Sequence, residues 1–87
     1  MNHRHRKVLQ GVFAHPVSAN LHVPDVTAML GELGAELDHS HGGRLQIHLN
    51  GQALTLTHPN HSLTPDQVRQ VRKFLESAGI DPAAYPA

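Results

Sequence analysis

The chain has 87 residues, of which 39% are hydrophobic and only three are aromatic. A chain of this length builds one hydrophobic core, so a single domain over residues 1–87 is expected. The scarcity of aromatic residues predicts an aliphatic core and argues against a sheet that stacks RNA bases on aromatic rings. Seven basic and seven acidic residues cancel, which excludes nucleic-acid binding through overall charge and leaves only local patches.

The chain contains no cysteine, which excludes disulfides and thiolate metal sites and fits a reducing compartment. No apolar run approaches the roughly 20 residues of a membrane span. The first residues, MNHRHRKV, also lack the apolar segment of a signal peptide. We therefore expect a cytoplasmic protein with no membrane partner.

Two short helices are predicted in the first part of the chain. In RHRKVLQGVFAH, apolar residues at one- and four-residue offsets predict a helix over residues 4–15 that Pro16 ends. The segment VPDVTAMLGELG has the same period. There Pro24 suits the first turn and Gly34 suits a left-handed helix stop.

Three short strands follow, because the period changes to two in AELDHS, RLQIHLN and QALTLT. Asn50-Gly51 is the preferred dipeptide of a type I′ hairpin turn and sets the register of the second and third strands. This register places Arg44, Gln46 and His48 on one polar face, opposite Thr57, Thr55 and Ala53. The other face carries Leu45, Ile47, Leu49, Leu54 and Leu56.

The last predicted helix begins after Thr64, which forms a capping box with Gln67 and has Pro65 at the first helical position. It ends at Gly79, a left-handed stop. We expect the tail DPAAYPA to be loose. The predicted order is helix, helix, three-stranded antiparallel meander, helix, which is an α+β two-layer domain with the helices on one face of the sheet.

The order and spacing of these elements over residues 23–80 resemble the HicA family, the small toxins of bacterial toxin–antitoxin pairs. The residues that carry the resemblance are MLGELG at the end of a short helix, a glycine-rich turn and hairpin, the loop Pro59-Asn60-His61, and a helix that ends in AGI. The resemblance implies a double-stranded-RNA-binding-domain-like fold. The predicted helix over residues 4–15 lies outside the family's minimal domain.

The resemblance further implies a metal-independent mRNA endoribonuclease, an mRNA interferase, that a HicB-like antitoxin protein neutralises. The family's functional histidine follows Gly-Ser at the start of the second strand, where this chain has Gly42-Gly43-Arg44. Arginine stays protonated and cannot act as a general base, although it can hold a phosphate with two hydrogen bonds. Either a neighbouring histidine transfers the proton, or the protein binds RNA without cutting it.

Metal-free RNA cleavage needs a base, an acid and a cation for the developing phosphorane charge. His41 precedes the two glycines and His58 ends the third strand, so either histidine with Arg44 makes the most compact candidate catalytic site. The simpler alternatives are solvent-facing histidines, cross-strand pairing of Arg44 with Thr57, a loop-shaping role for His61 and a solvated face on the last helix. The candidate RNA-binding residues are Arg44, Gln46, His48, His61, Arg69, Arg72 and Lys73.

A metal or cofactor site is the alternative class of function, because the chain contains nine histidines. The pairs His3/His5, His39/His41 and His58/His61 each offer two ligands, whereas zinc sites need three or four that converge. Gly42-Gly43 is not followed by the Gly-Lys-Ser/Thr of a phosphate-binding loop. We therefore expect no metal and no cofactor.

The leading hypothesis is a HicA-like, toxin-type domain that binds mRNA on the polar sheet face around Arg44, as a candidate endoribonuclease. The alternative is a non-catalytic domain that retains the toxin fold and binds RNA or a HicB-like protein.

Overall fold

The computed structural model describes residues 2–14, 21–41, 43–57 and 61–86. Its elements have the predicted order and form an α+β domain, with the helices packed against one face of an antiparallel sheet. They are α1 (His3–Val12), α2 (Val23–Glu32), β1 (Glu36–His41), β2 (Arg44–Leu49), β3 (Gln52–Thr57), α3 (Pro65–Ser77) and a 3₁₀ turn (Pro82–Ala84). No described helix has both the length and the apolar character needed to cross a membrane.

The β2–β3 hairpin has the predicted register, from Leu49 opposite Gln52 to Arg44 opposite Thr57. Asn50 and Gly51 both have positive φ, 50° and 79°, as a type I′ turn requires. The Asn50 side chain also donates from Nδ2 to the carbonyl of Ala78 at 2.9 Å. The turn therefore sets the strand register and contacts the end of α3.

The β1–β2 pairing is less regular than the hairpin. Glu36 lies opposite His48 and Asp38 lies opposite Gln46, but the next pair, His41 with Arg44, uses one more residue on β1 than on β2. An extra residue of this kind is a β-bulge, which bends a strand and disturbs its alternation. The period of two in AELDHS is therefore interrupted after Asp38.

The core lies between the sheet and the helix layer. α3 lies over β3 and contacts α1, while α1 packs on α2. No polar or charged side chain is buried among the described residues, in agreement with the aliphatic core that the composition predicts. The side chains with almost no exposed surface are Leu9, Val12, Val26, Met29, Leu30, Leu45, Ile47, Leu56, Val68, Val71 and Leu75.

The helix α1 is shorter than the prediction of residues 4–15. Asn2 caps its start by accepting from the backbone N–H of His5 at 2.8 Å, and the helix ends at Val12. The guanidinium of Arg72 donates from Nε to the Val12 carbonyl at 3.1 Å and from Nη2 to the Ala14 carbonyl at 3.3 Å. Because a helix leaves its last carbonyls without partners, this contact stabilises an end before the predicted stop at Pro16, which lies outside the described residues.

The other predicted helix boundaries are confirmed. Gly34 has a φ of 97°, and the N–H of Ala35 reaches back to the Leu30 carbonyl at 3.1 Å. The Thr64–Gln67 capping box is present in both directions. After α3, Gly79 has a φ of 82° and the N–H of Ile80 donates to Leu75 at 2.9 Å. Both stops are the Schellman arrangement that a glycine after a helix favours.

The tail is more ordered than predicted. The amide of Gln10 in α1 donates from Nε2 to the carbonyls of Pro82 and Tyr85, at 2.8 and 2.9 Å. Asp81 caps the 3₁₀ turn by accepting from the N–H of Ala83 at 2.9 Å. The expectation of a loose tail was wrong because a residue more than 70 positions away supplies its anchor.

Candidate nucleic-acid interface

The helices leave the other face of the sheet uncovered, and we call it the open sheet face. Its described side chains are exposed, except that of Gln46, which is half-buried. The strand register places them in rows that run across neighbouring strands. The face comprises Glu36 and Asp38 of β1, Arg44, Gln46 and His48 of β2, and Ala53, Thr55 and Thr57 of β3.

Arg44 occupies one end of this face. Its Cα pairs with Thr57 on one side and with His41 on the other, so these residues form one row across all three strands. The Arg44 side chain is exposed. The predicted proximity of His41 to Arg44 is therefore present in the backbone pairing, although the His41 side chain lies outside the description. His58, the other predicted proton-transfer residue, and Pro59 also lie outside the described residues.

His48 occupies the opposite end of the open sheet face. It lies between Glu36 and Ala53 in its row, and four residues of strand place it about 13 Å from Arg44. An open depression of about 290 Å³ lies here, lined by residues that include Glu36, His48 and Asn50 but no lysine or arginine. His48 and Arg44 are thus too far apart to act on one phosphate.

The charges on the open sheet face are mixed. Arg44 is the one lysine or arginine on its described part, whereas Glu36 and Asp38 lie along β1. These two carboxylates disfavour phosphate binding over the β1 half of the face. The period-two pattern of β1 is the sequence signal that places both carboxylates on this face.

The three basic residues of α3 do not share the face with Arg44, since α3 lies in the helix layer. Arg72 is half-buried and donates to carbonyls at the end of α1, so it has a structural role, and its contact with RNA stays a prediction. Arg69 is exposed and pairs with Asp66 one turn earlier at 2.8 Å. Lys73 is exposed beside β3. A single RNA surface formed by Arg44 and all three α3 residues is therefore not present.

His61 lies in the segment that leads into α3, and its side chain is exposed. Its carbonyl accepts from the N–H of Val23 at 2.9 Å, and the N–H of Leu63 donates to Leu21 at 2.9 Å. These bonds form an isolated antiparallel bridge between the entries of α2 and α3. The backbone at His61 thus has the loop-shaping role that the sequence offered as the alternative to RNA contact.

Two side chains of α1 contact carboxylates of α2. Arg4 pairs with Asp25 at 2.8 Å, and Nδ1 of His5 contacts the carboxylate of Glu32. α1 contains basic residues and no acidic ones, whereas the charged residues of α2 are both acidic. The Arg4 charge is therefore offset by a carboxylate within the fold. Within the described ranges, no three His, Asp or Glu side chains converge as a metal site would require.

Comparison of the chain with protein-family models, with curated proteins and with solved structures gives no match. The HicA resemblance therefore rests on the sequence pattern quoted above.

We expect Arg72→Met to lower the free energy of unfolding by about 1–3 kcal/mol, because it leaves two helix-end carbonyls without their charged donor. Arg69→Met is the matched control on the same helix, and its exposed ion pair contributes less than about 1 kcal/mol. Urea denaturation followed by circular dichroism measures both. Equal losses in the two variants, or an RNA-binding defect in Arg72→Met at unchanged stability, would contradict the structural role of Arg72.

Proposed function

We propose that this protein is a HicA-like RNA-binding domain that contacts the RNA backbone through the end of the open sheet face where Arg44 lies. The observation that carries the proposal is the row His41–Arg44–Thr57 on a sheet face that the helices leave uncovered. Strands on both sides of β2 fix the backbone position of Arg44.

The chemistry of this row suits a phosphodiester. The guanidinium group of Arg44 is always charged and can hold two phosphate oxygens at once. The hydroxyl groups of Thr57 and Thr55, on the same face, are hydrogen-bond donors for phosphate or for a ribose 2′-hydroxyl. The RNA path follows β2 and β3, because Glu36 and Asp38 repel phosphates from β1.

The contact area is small, and this limits the kind of binding. One arginine with uncharged neighbours neutralises about one phosphate, so we expect weak binding that is only modestly salt-dependent. The zero net charge of the chain adds no long-range attraction. Recognition of RNA would then depend on its shape and on hydroxyl contacts.

RNA cleavage is a second candidate function, and the pairing of His41 with Arg44 favours it. In this scheme the ribose 2′-oxygen forms a bond to phosphorus as the bond to the 5′-oxygen breaks; the His41 imidazole takes the 2′-hydroxyl proton and returns it to the leaving 5′-oxygen, while Arg44 stabilises the charge on the phosphorane, with no metal involved. His58 stays the alternative proton-transfer residue. A domain that binds RNA or a HicB-like antitoxin without cleavage is the non-catalytic form of the same proposal.

Arg44→Gln should weaken RNA binding about tenfold and lower the slope of log affinity against log salt by about one, because one phosphate contact is lost. Lys7→Gln is the matched control, since it removes the same charge from an exposed residue of α1 in the helix layer. Fluorescence anisotropy with a labelled RNA hairpin and a labelled single strand, at several salt concentrations, measures both effects. Equal affinity losses in the two variants would refute the assignment of the site to Arg44.

Removing the carboxylates of β1 should have the opposite effect. Strand geometry places Asp38 roughly 8 Å from Arg44, and a unit charge about 10 Å from a phosphate costs about 0.4 kcal/mol in water. The double variant Glu36→Gln/Asp38→Asn should therefore bind RNA about threefold to fourfold more tightly at low salt. Glu76→Gln, on α3, is the control and should leave the affinity unchanged. An unchanged affinity in the double variant would place the RNA elsewhere.

The cleavage candidate is tested separately with purified protein and RNA in EDTA. We expect cleavage products that are lost in Arg44→Gln and in either His41→Asn or His58→Asn, while folding measured by circular dichroism is preserved. Binding without products would reject the nuclease and leave the non-catalytic domain. Products that persist in both histidine variants would reject the proposed proton-transfer residues.

A further inference from the structure

We infer that β3 pairs with β3 of a second copy of this chain, antiparallel and across a two-fold axis at Thr55. This pairing would join two three-stranded sheets into one of six strands. The inference is independent of RNA binding, because it rests on the edge of the sheet and not on its open face.

Among the described residues, no strand pairs with the outer side of β3. β3 is an edge strand, since the strand order is β1-β2-β3. Leu49 and Gln52 flank the two-residue turn, so Gln52, Leu54 and Leu56 direct their N–H and C=O groups toward β2. The N–H and C=O groups of Ala53, Thr55 and Thr57 then point away from the sheet. They form a template for a further strand.

The two edges of the sheet differ in chemistry. The β1 edge carries Glu36, Asp38 and a bulge, which are common defences against strand addition. β3 has the sequence QALTLT, with no charge and no proline, and all six of its residues pair in regular register with β2. It is the edge that accepts another strand.

The sequence of β3 is complementary to itself. With the axis at Thr55, each copy's Thr55 exchanges two hydrogen bonds with the other. Ala53 then faces Thr57 of the second copy on the open face, and Leu54 faces Leu56 of the second copy on the helix side. The apolar face of one sheet then continues into the apolar face of the other, and the two polar faces do the same. The leucines of both copies therefore stay on the helix side, where they can be buried. The Thr57 carbonyl also accepts from Nε2 of Gln67 at 3.3 Å, and its second lone pair stays available.

A groove beside the β3 edge also favours binding of β3 from a second copy. It has a volume of about 270 Å³ and lies between β3 and α3, where half-buried Leu54 and nearly buried Phe74 line it with Gln70 and Lys73. A second β3 would cover the apolar part of this groove with its own leucines. The surface area that one pair of strands buries is small compared with the roughly 1,200 Å² buried in stable complexes. We therefore expect a weak dimer with a dissociation constant of about 10–100 µM.

Sedimentation velocity on the full chain, from about 5 to about 500 µM, tests the pairing against this range. We expect a monomer–dimer equilibrium that Thr55→Lys weakens about tenfold or more, since two lysines would face each other at the axis. Gln46→Lys is the matched control: it adds the same charge to the same face on the central strand, about 14 Å from its copy across the dimer by strand spacing. It should leave the equilibrium unchanged.

A second variant separates edge pairing from a charge effect. Thr55→Pro removes an outward N–H and adds no charge, while the hydrogen bonds of the hairpin to β2 are preserved. It should also abolish the dimer, and circular dichroism should show that both Thr55 variants are folded. A chain that stays monomeric at the highest concentration, or a dimer that Thr55→Lys leaves intact, would overturn the inference.

Discussion

The type I′ turn at Asn50-Gly51 is the constraint on which the other features of the sheet depend. With two residues in the turn, the register of β2 against β3 has no freedom. A shift of one residue would turn Leu45, Ile47 and Leu49 toward solvent and Arg44 toward the core. The turn thus decides which face packs on the helices, which residues share a row with Arg44, and which backbone groups of β3 point outward.

The distribution of charge is the second organising feature. A chain with zero net charge has few cations available for a ligand, and this fold uses several of them internally. Arg4 joins α1 to α2, Arg69 pairs within α3, and Arg72 holds the end of α1. The number of basic residues in the sequence therefore overestimates the positive charge available on the surface for a ligand. Arg44 stands apart because its position in the central strand leaves its side chain exposed on an uncovered face.

Local signals in the sequence predict most of this fold. Periodicity locates the helices and strands, and residues such as Thr64, Gly34 and Gly79 act through bonds to neighbours a few positions away. Contacts between distant residues are not visible in the same way. The shortened α1, the anchored tail and the bulge in β1 each depend on a partner in another element. The sequence likewise places Arg44 and His48 on one face but does not reveal which α3 cations already have partners.

The anchoring of α1 has a consequence for the order of events during synthesis. α1 is synthesised before α3 and the 3₁₀ turn, yet its Val12 carbonyl accepts from Arg72, and its Gln10 donates to the carbonyls of Pro82 and Tyr85. Its apolar residues Val8, Leu9 and Val12 are likewise buried in the shared core. An isolated helix of this length is marginal in water. α1 therefore reaches its final structure only after α3 and the segment through Tyr85 have emerged from the ribosome.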